Sequence, residues 1–232
     1  MSKDLAMRAM SGILERISSG EFTTSTPLPP ESQLAELLGV SRLTLREAVR
    51  VLKDRNVLQV VHGKGTFVLP LAQWTDLGTI AAFLSRTQDP LDLGVSLLEI
   101  RRMIEVGTSG LAAARRSTAD LENMACELEN YDQALERGDI PAAATADLNF
   151  HKRIQNASGN PFVSALMQPL EVALERSRQA TAADRQVAMR AQSHHRRIYQ
   201  AIKNADADEA KEAMRAHMTQ TAEDLRTLKA GQ

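Results

Sequence analysis

Residues that favour β-strands are confined to one short part of this chain, and helical spacing of apolar residues governs almost all of the rest. The segments 57–61 and 66–69 are rich in valine and leucine, and the four residues between them include two glycines, as in a hairpin turn. Beyond residue 70 the spacing predicts helices alone. The chain is therefore expected to be mainly α-helical, with one small hairpin.

Before the hairpin, the spacing of apolar residues predicts three helices, at 5–17, 31–38 and 42–55. Gly39 can adopt the left-handed conformation that ends a helix, and the hydroxyl of Ser41 can cap the next one. Two helices joined by so tight a turn, with a hairpin behind them, are typical of a winged helix-turn-helix. We therefore assign residues 1–70 to a winged helix-turn-helix DNA-binding domain.

The rest of the chain is predicted to be an all-α bundle. Proline and glycine mark the boundaries between its predicted helices, as at Asp89-Pro90 and Gly138-Asp139. Residues 71–90 are assigned to a linker and the first helix of the body, and residues 91–232 to an all-α domain. The predicted helices are 75–86, 91–116, 118–137, 140–157, 161–182, 184–204 and 206–229.

Composition excludes several classes of protein. Hydrophobic residues make up 43% and charged residues 25%, an ordinary globular balance, and no apolar run approaches the roughly 20 residues that span a bilayer. The first 20 residues lack the apolar core of a signal peptide, and Cys126 is the only cysteine, so we expect a cytoplasmic protein without an intrachain disulfide or multi-cysteine metal site. Aromatic residues are only 3%, which argues against a single-strand binder built on stacked rings.

Charge is distributed unevenly along the chain. The net charge is −1, but residues 42–64 carry six basic and two acidic side chains. Charge alone favours a solvated basic helix over a nucleic-acid interface. The helix-turn-helix pattern changes that balance, because it puts the basic residues on the helix that would enter the major groove.

The start of the third helix has the chemistry needed to read DNA. Arg42 and Arg46 are four residues apart on one helical face, and arginine can bond both acceptors of a guanine edge. The hydroxyls of Ser41 and Thr44 suit phosphate oxygens, and the glycines of the hairpin let its tip approach the DNA backbone. The alternative is that Arg46 pairs with Glu47 or another neighbour on a solvated helix. The predicted DNA-binding residues are Ser41, Arg42, Thr44, Arg46, His62, Gly63 and Lys64.

Residues 28–68 closely resemble the winged helix-turn-helix of GntR-type transcription regulators, through the motifs LPPE, GVSR, LREAV and GKGTFV. The resemblance implies that Arg42, Thr44, Arg46 and the wing residues contact DNA. Ser32 departs from the pattern, because some relatives carry an arginine there that touches the operator. The resemblance also implies a short inverted-repeat operator, read by a homodimer.

Histidines and one aspartate in the body could form a metal site. Asp147 and His151 are four residues apart on one helical face, and His195 and His217 lie among apolar residues at helical spacing. The four could converge from three helices and would suit zinc, nickel, manganese or iron. On spacing alone, core histidines that are simply hydrogen-bonded remain the favoured alternative.

Residues 95–226 resemble the all-α FCD effector domain of the FadR-like branch of GntR regulators. The segments EIRRMIE at 99–105, DLNFHKRIQNASGN at 147–160 and HHRRIYQAI at 194–202 carry this resemblance. It implies a divalent metal held by Asp147, His151, His195 and His217. It also implies that Arg101 points into a ligand cavity and holds an acidic effector, whereas the residues alone allow a surface ion pair with Glu105, four positions away.

We expect a regulator rather than an enzyme: a homodimeric, effector-responsive transcription repressor that binds double-stranded DNA and senses a small carboxylate or sugar acid. The first alternative is a hydrolase-like metalloenzyme with an appended DNA-binding domain, against which no separate general base or nucleophile is evident. The second is a structural metal without an effector. Neither the effector, the metal nor the role of His194 follows from the sequence.

Overall fold

The computed structural model describes residues 2–231, and these form two compact units that divide between Thr87 and Gln88. Short 3₁₀ turns lie at Leu71–Gln73 and Gln168–Leu170. The helices and strands of the first unit are α1 (Ser2–Ser18), α2 (Glu31–Leu37), α3 (Arg42–Asp54), β1 (Leu58–Val61), β2 (Gly65–Val68) and α4 (Leu77–Thr87). Those of the second unit are α5 (Pro90–Arg115), α6 (Thr118–Arg137), α7 (Ile140–Ala157), α8 (Pro161–Met167), α9 (Glu171–Ala182), α10 (Arg185–Lys203) and α11 (Ala207–Ala230).

The first unit is a winged helix-turn-helix, as predicted. Gly39, with a φ of 63°, turns the chain between α2 and α3, and the Ser41 hydroxyl accepts a hydrogen bond from the Thr44 N–H at 3.1 Å to cap α3. The wing is the antiparallel pair β1–β2, in register from Leu58 opposite Val68 to Val61 opposite Gly65. The largest fully buried side chains of this unit are Ile13, Leu45, Leu52 and Leu58.

The helix α4 belongs to the first unit, whereas its sequence pattern predicted a helix of the body. Trp74 packs its ring 5.0 Å from that of Phe83, and Arg55 donates a hydrogen bond to the Thr79 hydroxyl at 2.8 Å. Apolar spacing predicts that a segment is helical, but it does not say which core the helix covers. The assignment of residues 71–90 to linker and body is therefore corrected by these contacts.

The second unit is an all-α bundle, which confirms the predicted fold class. The long helix α5 packs against α7, α9, α10 and α11. Phe150 and Ile154 of α7 meet Ile198 of α10 and Met214 of α11 in its core, each at most 1% exposed. None of the helices within residues 2–231 combines the length and apolar character needed to cross a bilayer.

The segment predicted as one helix over 161–182 is interrupted. It forms α8, a 3₁₀ turn and then α9, and the turn contains Pro169, which has no N–H to continue an α-helix. Beyond the turn, α9 approaches α5 closely at Gly94, where an added Cβ would lie 2.6 Å from the Ser177 hydroxyl oxygen. This close approach brings the next residue, Arg178, into the interior of the bundle.

Candidate functional site

The predicted DNA-reading residues lie together at the exposed start of α3. Arg42 and Arg46 are both exposed there, and the hydroxyl oxygens of Ser41 and Thr44 are 2.9 Å apart. Leu43 was not among the predicted DNA-binding residues, but it is 72% exposed on the same helix. An apolar side chain at that place has the chemistry to contact a thymine methyl group.

Arg46 is held by an acidic residue of the preceding helix. Its Nε lies 2.6 Å from a carboxylate oxygen of Glu31, while Glu47 pairs with Arg50 at 3.0 Å. The alternative pairing with Glu47 is therefore not the one found. Because the contact uses Nε, the two terminal nitrogens of the guanidinium remain suited to a guanine edge.

The wing tip presents its predicted residues to solvent. His62, Gly63 and Lys64 are all exposed, and Gly63 and Gly65 have φ angles of 73° and 117° that favour glycine. Ser32 is also exposed, on α2. Six of the seven predicted DNA-binding residues are thus exposed at the surface of the first unit, and the seventh, Thr44, is half-buried.

The four predicted metal ligands converge inside the second unit. His151 of α7, His195 of α10 and His217 of α11 are at most 2% exposed, and one ring nitrogen from each lies within 4.8 Å of the others. Asp147 Oδ1 lies 3.6 Å from His151 Nε2, and Asp147 Oδ2 lies 3.9 Å from His195 Nε2. Three helices therefore bring three imidazoles and one carboxylate to one place.

Two polar side chains orient two of the three imidazoles, those of His151 and His195. Glu105 Oε2 lies 2.5 Å from His151 Nδ1, and the Gln192 side-chain oxygen lies 3.4 Å from His195 Nδ1. The amide of Gln192 is itself fixed, because it donates to the Leu128 carbonyl at 2.8 Å. Both contacts use Nδ1 and turn Nε2 toward the centre, as outer partners of metal-binding histidines do.

Burial keeps the three imidazoles neutral, which is the form that binds metals. It lowers the pKa of His195 to about 3 and the pKa of His217 well below its usual value. It also lowers the pKa of His151, although the Glu105 carboxylate opposes that shift. Burial alone would raise the pKa of Asp147, but the positive charge of Arg178 leads the effects that outweigh it, so this pKa is lowered and the carboxyl is ionised.

Several ring nitrogens at the centre lack protein partners. Among residues 2–231, no hydrogen-bond partner lies near His195 Nε2 or near either ring nitrogen of His217. Buried polar atoms are normally paired, because leaving one unpaired costs about 1–3 kcal/mol. A divalent ion would satisfy His195 Nε2 and one of the two nitrogens of His217, and three imidazoles with one carboxylate fit zinc, nickel, manganese or iron.

Arg101 lies beside this cluster and is buried. Its Nε donates to Glu105 at 3.0 Å, and its Nη2 lies 3.1 Å from His151 Nε2. The ion pair with Glu105 therefore exists, but the two side chains are only 8% and 2% exposed, so it is not a surface pair. Arg101 also lines a narrow pocket, which we call the polar cavity; its lining includes Asp147, Ser177, Arg178, His194, His217 and Thr221.

Two further residues of the polar cavity were not predicted to have a role. Arg178 of α9 is 4% exposed and donates through Nε to Asp147. No motif marks it in the sequence, because its position depends on the approach of α9 to α5 and α7. His194 is half-buried, with its ring 5.8 Å from that of His217.

A winged helix-turn-helix joined to a helical unit with a polar, metal-competent cavity defines a DNA-binding regulator. Comparison with known families agrees: residues 5–68 match the bacterial regulatory proteins of the gntR family, and residues 96–220 match the FCD domain. The chain belongs to the GntR family of bacterial transcription regulators and carries an FCD effector domain. The resemblance found in the sequence is thereby confirmed.

Similar proteins are regulators as well. The HTH-type transcriptional regulator LutR of Bacillus subtilis (strain 168) is 30% identical over 88% of this chain and 93% of its own length. The galactonate operon transcriptional repressor of Escherichia coli (strain K12) is 26% identical over 93% of each chain. A solved Streptococcus agalactiae GntR structure is 27% identical, covers 96% of this chain and all of its own, and has a TM-score of 0.52.

These relatives decide between a regulator and an enzyme. Both matched families and both curated relatives are transcription regulators. The chain is therefore a transcription regulator, which confirms the expectation that it is not an enzyme and removes the support for a metalloenzyme with an appended DNA-binding domain.

Proposed function

We propose that this chain is a transcription repressor that acts as a homodimer on an inverted-repeat operator in the cytoplasm and responds to a small carboxylate or sugar acid. The observation that carries the proposal is the polar cavity, where unpaired imidazole nitrogens and two buried arginines meet in the FCD domain. The name of the E. coli relative, a galactonate operon repressor, supports both the repressor role and a sugar acid.

On this proposal, Asp147, His151, His195 and His217 hold one divalent ion. The ion would supply a Lewis-acidic position for an oxygen of the effector. Arg101 would hold the effector carboxylate by charge-assisted hydrogen bonds, since its side chain lines the cavity and its Nη2 already faces the histidine cluster. Glu105 fixes both Arg101 and His151, and so links the acid-binding and metal-binding groups.

The DNA-binding part of the proposal assigns different roles to helix and wing. Arg42 and Arg46 would read guanines, Ser41 and Thr44 would bind phosphates, and His62, Gly63 and Lys64 would approach the DNA backbone. Two copies related by a two-fold axis would place their α3 helices on two half-sites, so the operator would mirror the symmetry of the protein.

Arg46→Ala is expected to lose sequence preference, whereas Lys64→Ala is expected to lose affinity for all sequences alike. The first change removes a contact with a base edge and should cost about 1–3 kcal/mol of binding to the operator. The second removes one phosphate contact and should lower the slope of log affinity against log salt by about one. Both variants are measured by fluorescence anisotropy on an operator selected from random duplexes and on a scrambled duplex.

Arg8→Ala is the matched control, because Arg8 is an exposed arginine on α1 of the same unit. It should bind as the wild type does. Equal operator affinity of Arg46→Ala and wild type would contradict the role given to Arg46.

The whole proposal is tested by titrating organic acids into the metal-loaded protein on labelled operator, with and without chelator. An acid that changes operator affinity only in the presence of metal would support it, with a coupling free energy of about 1–3 kcal/mol. A regulator that binds its operator but responds to no acid, with or without metal, would contradict the assigned effector class.

A further inference from the structure

Arg178 has an unusual environment for an arginine. It is 4% exposed, and no hydrogen-bond partner lies near its Nη1 or Nη2 among residues 2–231. A guanidinium carries five N–H donors, and burying a charged group with its donors unpaired is costly. The fold nevertheless holds the side chain there, through the Nε contact with Asp147 and the close approach of α9 at Gly94.

The unpaired end of Arg178 lies at the polar cavity that Arg101 also lines. The two arginines differ in how they are paired. Arg101 contacts Glu105 through Nε and His151 through Nη2, whereas the guanidinium of Arg178 forms hydrogen bonds within residues 2–231 only through Nε. The terminal nitrogens of Arg178 therefore have hydrogen-bond donors that no described protein group accepts.

Charges near the cavity are balanced before a ligand binds. Arg101 is matched by Glu105 and Arg178 by Asp147, and the buried Asp224 pairs with Arg190. Histidine binds a metal in its neutral form, so a divalent ion held in this cluster would leave two positive charges without a counter-charge. A monocarboxylate would neutralise one of these charges, and a dicarboxylate would neutralise both.

We propose that the effector is a compact dicarboxylate whose second carboxylate is bound by Nη1 and Nη2 of Arg178. This inference rests on the proposed function, in which Arg101 and the metal bind the first carboxylate. A planar carboxylate can accept two parallel N–H bonds from one guanidinium, which matches the pair of unpaired nitrogens. Arg178 is thus a specificity-determining residue: it distinguishes a diacid from the monoacid with the same carbon chain.

The test measures affinity for matched acid pairs by isothermal titration calorimetry of the metal-loaded full chain. The pairs are propionate and malonate, butyrate and succinate, 2-hydroxybutyrate and malate, and gluconate and glucarate. Metal content is measured before and after each titration, because diacids also chelate metals. The variants are Arg178→Gln, Arg178→Lys and, as a matched control, Arg176→Gln, since Arg176 is an exposed arginine on the same helix.

The wild type is expected to bind at least one diacid about 10- to 100-fold more tightly than its monoacid partner, as expected for one hydrogen-bonded charge pair. Arg178→Gln should bring that ratio close to one, Arg178→Lys should retain part of it, and Arg176→Gln should keep it. Circular dichroism and metal content identify any variant that has lost its fold or its ion.

Two outcomes would overturn the inference, and they differ in what else they affect. If an acid binds but no diacid is preferred, or if Arg178→Gln keeps the preference, the role of Arg178 is wrong while the proposed function stands. If no acid of either kind binds to the metal-loaded protein, the proposed function fails and the inference fails with it.

Discussion

Replacing His195 with alanine is expected to remove most of the divalent ion from the purified protein. His195 is fully buried, and its Nε2 faces the cluster without a protein partner among the described residues. Loss of an outer partner of a metal ligand typically weakens metal binding about 10- to 100-fold, and loss of the ligand itself should exceed that. Because Gln192 and Asp147 remain, the change removes a donor atom without removing the charge at the site.

Elemental analysis after dialysis against chelator-treated buffer gives the metal content per chain. The wild type should retain about one ion per chain and His195→Ala should retain little. His195→Gln is measured alongside, since it leaves a smaller gap beside Phe150, whose ring lies 4.9 Å away. Circular dichroism shows whether each variant is folded.

His194→Ala is the matched control for this experiment. His194 precedes His195 on α10 and lines the polar cavity, but it does not belong to the group of three histidines whose nitrogens meet. It should therefore keep its ion. Wild-type protein without any bound metal, or equal metal loss in His194→Ala, would contradict the ligand set.

Local sequence was sufficient to predict the winged helix-turn-helix. The cap at Ser41, the left-handed turn at Gly39 and the glycines of the wing are properties of a few adjacent residues, and each occurs where it was expected. Local sequence could not predict the partner of Arg46. Glu31 lies on the preceding helix, so this contact depends on how α2 packs against α3.

The histidine cluster shows the same division between local and long-range information. Spacing placed Asp147 and His151 on one face and indicated that His195 and His217 could converge with them, but only the family resemblance favoured a metal site over hydrogen-bonded core histidines. Neither helical spacing nor family resemblance predicted a role for Arg178. Its position follows from the helix break at Pro169 and from the close packing of α9 on α5 at Gly94. The helix α4 was assigned to the wrong unit for a similar reason: its periodicity is independent of the core it covers.

Arg101→Ala is expected to bind operator about as well as the wild type but to respond poorly to an acidic effector. Arg101 belongs to the second unit, whereas the residues that would read DNA belong to the first, and its guanidinium lines the polar cavity. Removing a charge-assisted contact should raise the effector concentration at half-response about 10- to 100-fold. The effector is the acid that gives the wild type its largest response, titrated into both proteins on labelled operator.

The single substitution also breaks a buried ion pair, and this must be separated from the loss of effector binding. Glu105, which is 2% exposed, would keep its charge without Arg101, at a cost of about 3–5 kcal/mol of stability. Arg101→Met combined with Glu105→Gln removes both charges, and the new amide oxygen can still accept from His151 Nδ1. This double variant should regain stability and metal but remain unresponsive. A half-response concentration unchanged from wild type would place the effector elsewhere and leave Arg101 as the buried partner of Glu105.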